Sequence, residues 1–170
     1  MDRSGDAILA RMSEQTDLIE KFYAAFARRD GEAMAACYAD DVRFSDPVFP
    51  TLEGEHAGAM WKMLCGRAKD LDIVASDISW DGSTGHAKWV AHYTFAATGR
   101  KVENIIRATF KIAGGKIVEH TDVFDFWRWS RQALGPAGAI LGWSSFLQKK
   151  VQGQAAKSLT EYETKRRETS

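Results

Sequence analysis

The chain has little cysteine, no net charge and no long hydrophobic run, and each shortage removes a class of protein. Two cysteines occur in 170 residues, and neither Cys37 nor Cys65 has a CxxC partner or a histidine at ligand spacing. That excludes a disulfide framework and a cysteine-based metal module, and it reads the pair as small buried hydrophobes in a reducing compartment. The 23 basic residues balance the 23 acidic ones, so no net field draws the chain to nucleic acid or to an anionic membrane. A small hydrophobic ligand is the expected partner. The first dozen residues carry Asp2 and Asp6 and lack the basic start and apolar centre of a secretory signal. The longest apolar stretch, Ala137 to Leu147, is broken by Gly138, Gly142, Ser144 and Ser145 and falls short of the ~20 residues a bilayer span needs. A cytoplasmic location is the resulting expectation.

What is present is an ordinary globular composition, 45% hydrophobic and 27% charged, at a length that fits one domain. Leu18, Ile19, Phe22, Tyr23 and Phe26 recur at helical spacing behind SEQTD, with Gly31 closing the segment. A short second helix is expected over residues 32–38. A third is expected over 56–68, with Met60 and Leu64 on its inner side and Trp61 as a third candidate. The period then changes to two. Residues 73–80, 87–96, 101–112 and 116–126 read as four strands, the last pair joined at AGGK. Helices first and an antiparallel meander after them is the order of an α+β domain, helices covering one face of a curved mixed or antiparallel sheet. Residues 1–132 form that cone-like unit in this reading, and 133–170 a C-terminal helical extension of the same domain.

Strand parity singles out polar groups on rows that should face the core. In DDVRFSDPVFP, Asp46 shares parity with Val42, Phe44 and Val48. Asn104 shares a row with Ile106, Ala108 and Phe110, and His120 and Asp122 share one with Val118, Phe124 and Phe126. Trp89, Tyr93 and Phe95 form a facing aromatic row. Two carboxylates, an imidazole and an amide on inward rows suggest a lined pocket. A carboxyl group among aromatics loses solvation and is pushed toward neutral pH, where it can exchange protons. Asp46 before Pro47 can equally cap a turn, and His120 with Asp122 can equally be a satisfied interior pair. No third ligand stands near that pair in the sequence, so no metal and no cofactor is expected.

With that element order, the strings FYAAFARRD, CYADDVRFSDP and GGKIVEHTDVFD make the chain resemble the nuclear transport factor 2-like superfamily over Thr16 to Phe126. Its SnoaL-like polyketide cyclase and ketosteroid isomerase branches are the nearest. The resemblance implies a cone of helices wrapped by a bent sheet with a pocket at the open end. It implies Asp122 as an acid/base group, as in the cyclases, and Asp46 at the position of the isomerase base; His120, singled out by parity, is the other candidate for the counterpart of Asp122. Phe22 and Ala108 stand where the isomerase has its two oxyanion donors, which argues against steroid isomerisation. Arg107 falls on the outward row, which argues against the hydrolysis of limonene epoxide-like substrates.

The expected pocket lining is therefore Phe22, Met60, Leu64, Trp89, Tyr93, Phe95, Asn104, Ala108 and Phe124. The expected activity is cofactor-free isomerisation, cyclisation or dehydration of a small hydrophobic carbonyl compound, the alternative being a non-catalytic binding or dimerisation module. A homodimer is expected through the outer sheet face, where Val90, Ile105 and Val123 lie beside His92 and Arg107. Ile140, Trp143, Leu147 and Val151 are expected to form one apolar stripe folded back over the cone, either as a lid or as padding.

Overall fold

The computed structural model describes residues 3–67 and 69–169. The first helix, α1 (Arg3–Ala27), starts well before the SEQTD segment that was expected to open it. Residues 6–27 contain no glycine or proline, so nothing breaks the helix, although only its second half buries a face, through Ile19, Phe22, Tyr23 and Phe26. The stop is at Arg29, not at Gly31: Arg29 takes φ 58° and its N–H bonds the Phe26 carbonyl at 2.8 Å. Asp30 then caps α2 (Gly31–Ala36), accepting from the Ala33 N–H at 2.9 Å. Gly31 serves packing: a Cβ there would lie 2.5 Å from Lys62 Cα.

Strand β1 (Tyr38–Ser45) and the short β2 (Leu52–Glu53) flank the turn that contains Asp46, and α3 (Glu55–Arg67) comes next. Strands β3 (Asp72–Trp80), β4 (Gly85–Phe95), β5 (Arg100–Ala113) and β6 (Lys116–Val123) complete a six-stranded sheet of order β2-β1-β6-β5-β4-β3. The β3 to β6 part is the expected antiparallel meander; β1 joins β6 in parallel. Gly114 and Gly115, at φ 57° and 73°, make the tight β5–β6 hairpin that AGGK signalled. The last strand ends at Val123, before the expected Phe126, because Asp125 accepts from the Arg128 N–H at 2.9 Å and starts α4 (Phe126–Leu134). Helices α5 (Pro136–Leu141) and α6 (Ser145–Glu168) complete the α+β fold.

Two expectations about helix faces fail. Leu64 is 37% exposed while Met60, Trp61, Met63 and Cys65 are buried. Helix α3 touches α2, α6, β1 and β2, so it buries a wide arc, and Leu64 lies in the remaining gap. The C-terminal stripe also divides: Leu147 is buried, but Ile140 is 68% and Trp143 77% exposed. Gly142 ends α5, and Ser144 caps a new helix by accepting from the Leu147 N–H at 3.3 Å, so residues 140 and 143 are out of phase with α6. The stripe that packs is Leu147, Val151, Ala155, Leu159 and Tyr162, and Leu159 joins the main core with Ile19, Phe22 and Met60. Trp143 is no lid over the cone.

The close approach of α2 to α3 is testable. Gly31→Ala is expected to destabilise the protein by about 1–3 kcal/mol, the usual cost of forcing an extra carbon into a filled contact. Gly66→Ala in α3, where a Cβ would meet nothing within 4 Å, is expected to be neutral or stabilising by up to ~1 kcal/mol. Urea midpoints of the two variants check both.

Candidate active site

At the heart of the cone β6 contributes two inward polar side chains, and both are enclosed: His120 is 0% and Asp122 3% exposed. Trp61 Nε1 donates to the Tyr38 hydroxyl at 2.7 Å, Tyr38 Oη lies 2.8 Å from His120 Nδ1, and His120 Nε2 lies 3.0 Å from Asp122 Oδ1. Trp89 Nε1 donates to the same carboxylate oxygen at 3.3 Å. An indole only donates and a carboxylate only accepts, and with a neutral imidazole between them this sets the directions. Tyr38 accepts from Trp61 and gives its own proton to Nδ1, which leaves the Nε2–H tautomer of His120 to donate to Asp122. Every proton in the row then has an acceptor.

Four elements hold this row: α3 brings Trp61, β1 Tyr38, β4 Trp89, and β6 the pair itself. Rings close around the imidazole, with Phe22 at 5.4 Å, Phe44 at 5.1 Å and Phe110 at 4.2 Å between centroids. Both hydrogen bonds to Asp122 fall on Oδ1, and Oδ2 takes none among the described residues. Nearby, Tyr23 Oη is the one buried side-chain polar atom without a hydrogen-bond partner among the described residues. Burial raises the Tyr23 phenol well above its ordinary value, and the charge of Asp122, then that of Tyr38, raise it further. Tyr38 is raised likewise, chiefly by burial. Tyr23 is thus a buried phenol that keeps its proton, with no acceptor for it among the described residues.

Asp46 lies past the end of β1 instead of on its inward row. Its Oδ1 accepts from the Val48 and Phe49 N–H groups at 2.6 and 2.5 Å, and its own N–H bonds the Phe49 carbonyl, so it builds the turn at Pro47. Burial nevertheless raises its carboxyl to about 7; the two N–H bonds oppose that shift, and Asp122 adds to it. The turn is held from outside by α6, whose Gln148 and Gln152 both donate to the Pro47 carbonyl at 3.1 Å.

The remaining expected lining residues fall into three groups. Phe22, Met60, Trp89 and Ala108 are buried in the main core, Ala108 directly opposite Asp122 in the β5–β6 register. Tyr93, Phe95 and Phe124 are half-buried around α4, where Trp129 donates to Tyr93 Oη at 2.8 Å and packs on Phe95. Asn104 is half-buried opposite Ala91, and Leu64 is at the surface. Two surface clefts, one at Arg100, Lys101, Arg128, Arg131 and Gln132 and one around Asp40, Arg43 and His56, do not reach Asp122. No group of three metal-binding side chains exists among the described residues. No helix among them is long and apolar enough to cross a membrane.

Tyr38, Trp61, Tyr23 and Trp129 escaped the sequence reading as site residues. Tyr38 shares even parity with Val42 and Phe44, which could have placed it in β1 and not at the end of a helix. A tyrosine on a buried helix face, such as Tyr23, signals a hydroxyl that needs a partner.

This arrangement belongs to a recognisable class. The sequence profile of the SnoaL-like domain matches residues 19–120, and the chain belongs to that family, within the nuclear transport factor 2-like superfamily. The matched segment stops two residues before Asp122. Among solved structures, the chain is similar to an epoxide hydrolase of the LEH-like type from M. tuberculosis, at 18% identity and TM-score 0.61, over 77% of this chain and 96% of that one. It is similar to a candidate polyketide cyclase from Xanthomonas campestris pv. campestris at 24% identity and TM-score 0.58, over 72% and 98% of the two chains. It is also similar to TerC co-crystallized with polyporic acid, at 18% identity and TM-score 0.61, over 71% and 98%. At these identities the likenesses establish the fold. No curated protein sequence matches the chain significantly.

The displaced Asp46 carboxyl has a consequence for stability. Unfolded, it titrates near 3.8, and folded near 7, so between those values the folded chain binds more protons than the unfolded one. Its contribution to folding is whole below about 3.8 and is lost as pH rises through about 7. The melting temperature of the wild type relative to Asp46→Asn is therefore expected to fall across that window and to level off above it. A flat difference between about pH 4 and 8 would show that the carboxyl titrates normally.

Proposed function

We propose that this SnoaL-like protein is a cofactor-free acid/base enzyme acting on a small hydrophobic carbonyl compound, by isomerisation, cyclisation or dehydration. The observation that carries this reading is the unpartnered, buried Tyr23 hydroxyl, which feels the charge of Asp122, a carboxylate whose Oδ2 takes no hydrogen bond among the described residues. Asp122 Oδ2 takes a proton from the carbon next to the carbonyl and later returns it. Tyr23 donates to the carbonyl oxygen as negative charge develops there. His120, fixed by Tyr38 and Trp61, holds Oδ1 through its Nε2–H, so the free oxygen keeps one orientation. Asp46, titrating near 7, can exchange protons at neutral pH as a second group. The family membership, and the structural likeness to proteins described as an epoxide hydrolase and a polyketide cyclase, support a reading in which small organic molecules are the substrates.

A second reading is favoured by the closure of the site, since His120 has no exposed surface and Asp122 only 3%. In it, the row is a satisfied core network in a non-catalytic binding or dimerisation module. Deuterium exchange separates the two, with 2-tetralone as a hydrophobic ketone probe and proton NMR as the readout. The enzyme reading expects exchange above buffer, lowered about 10²–10³-fold by Tyr23→Phe, the usual effect of removing one oxyanion donor, and abolished by Asp122→Asn. Equal exchange by wild type and Asp122→Asn, with only the melting temperature changed, would establish the second reading.

We also propose a homodimer through the outer sheet face, where Val74, Ile105 and Val123 are exposed beside His92 and Arg107. A sheet face carrying aliphatic residues is otherwise left wet. Sedimentation equilibrium is expected to give twice the chain mass, reduced to one by Val123→Lys. A wild-type monomer at high micromolar concentration would refute the pairing.

A further inference from the structure

The zero net charge of the chain hides an uneven distribution. From Phe126 to Thr160 there is no acidic residue, while Arg128, Arg131, Lys149, Lys150 and Lys157 are cationic. The same segment carries the three large aromatic side chains that are exposed among the described residues, Trp127, Trp143 and Phe146, the last 71% exposed, together with Ile140 and Leu141. Trp127, on α4, is also brought against α5 in space. Trp127 Nε1 donates to the Ala139 carbonyl at 3.2 Å, and its ring lies against Gly142, between Leu141 and Trp143 in the chain. Arg131 stacks over the Trp127 ring at 4.2 Å. On α6, Phe146 points away from the core that Leu147 enters, and Lys149 and Lys150 come three and four residues after it, on the same exposed side.

Arg128 is paired with Glu103 at 2.5 Å, but Arg131, Lys149 and Lys150 have no acidic partner among the described residues. Large aromatic and aliphatic side chains in water, fringed by unpaired cations, fit a surface that is apolar inside and negative at its edge. We propose that this face, formed by α4, α5 and the start of α6, docks the protein on an anionic lipid bilayer. Trp127, Trp143 and Phe146 enter the headgroup boundary, and Arg131, Lys149 and Lys150 meet lipid phosphates. A second copy of the chain is the poorer occupant. A two-fold pairing of this face would set each cluster of unpaired cations against its own image, with no carboxylate in the segment to offset them. The surface is distinct from the outer sheet face and from the Asp122 site, and it implies interfacial attachment with no spanning helix.

Co-sedimentation with vesicles tests it, using phosphatidylcholine alone and phosphatidylcholine mixed equally with phosphatidylglycerol. The wild type is expected to sediment with the mixed vesicles, with a blue shift of tryptophan emission, and to be released at about 1 M salt, where screening shortens to about 3 Å. The double variant W143S/F146S, both sites being exposed, should keep the wild-type melting temperature and bind at least about tenfold more weakly. K149Q/K150Q should lose the preference for the anionic vesicles. Failure of the wild type to sediment with mixed vesicles at low salt would overturn the proposal, as would unchanged binding by W143S/F146S. Self-association of the wild type that W143S/F146S removes, without vesicle binding, would also overturn it and assign the face to a second copy.

Discussion

An imidazole and a carboxylate cannot be taken out of water without partners, and much of this fold is arranged around that requirement. Leaving either group unpaired would cost several kcal/mol, so the cone closes only when β1 and α3 deliver Tyr38 and Trp61 to one side of His120 and β4 delivers Trp89 to Asp122. The constraint is directional as well as energetic. Each hydrogen bond fixes the register of one element against β6, in a core otherwise made of aromatic rings that could pack in several ways. Phe22, Phe44 and Phe110 then need only fill the space around a framework that is already oriented.

The same network limits what chemistry the site can do. With Oδ1 occupied twice and Oδ2 not at all, Asp122 has one oxygen for structure and one to spare. Tyr23 adds a donor whose high proton affinity comes from its burial. Asp46 differs in kind: it belongs to a turn, and its unusual titration arises from the walls around that turn more than from the nearby carboxylate.

Period-two patterning carried the information that mattered most where the β5–β6 pairing is regular: His120, Asp122 and Ala108 could be placed from parity alone, whereas the register shift at Ile112 buries Ile117 in place of Val118, the residue expected on the inward row of β6. The reading weakened where regularity ended. Asp46 lies one residue beyond β1, where a side chain no longer alternates but answers to turn hydrogen bonds. Tyr38 begins the same strand, and a register shift separates it from Arg43. Helix faces were harder, because α3 has neighbours on several sides and its buried arc is too wide for a period to locate Leu64. The break at Gly142 could be seen in the sequence, yet only the cap at Ser144 shows that Trp143 belongs to neither packed stripe. Trp61 is invisible as a site residue without the third dimension, since its partner Tyr38 comes from another element.

The two glutamine bonds to the Pro47 carbonyl have a bearing on time. Gln148 and Gln152 are 101 and 105 residues away from the proline they hold. A chain emerging from synthesis can therefore form the sheet's central hairpins early, through local contacts, while the Pro47 turn stays unclamped until α6 has been made and has docked. Until the chain has folded around it, the acidic group at position 46 is an ordinary carboxylate in water, and its raised proton affinity comes with burial.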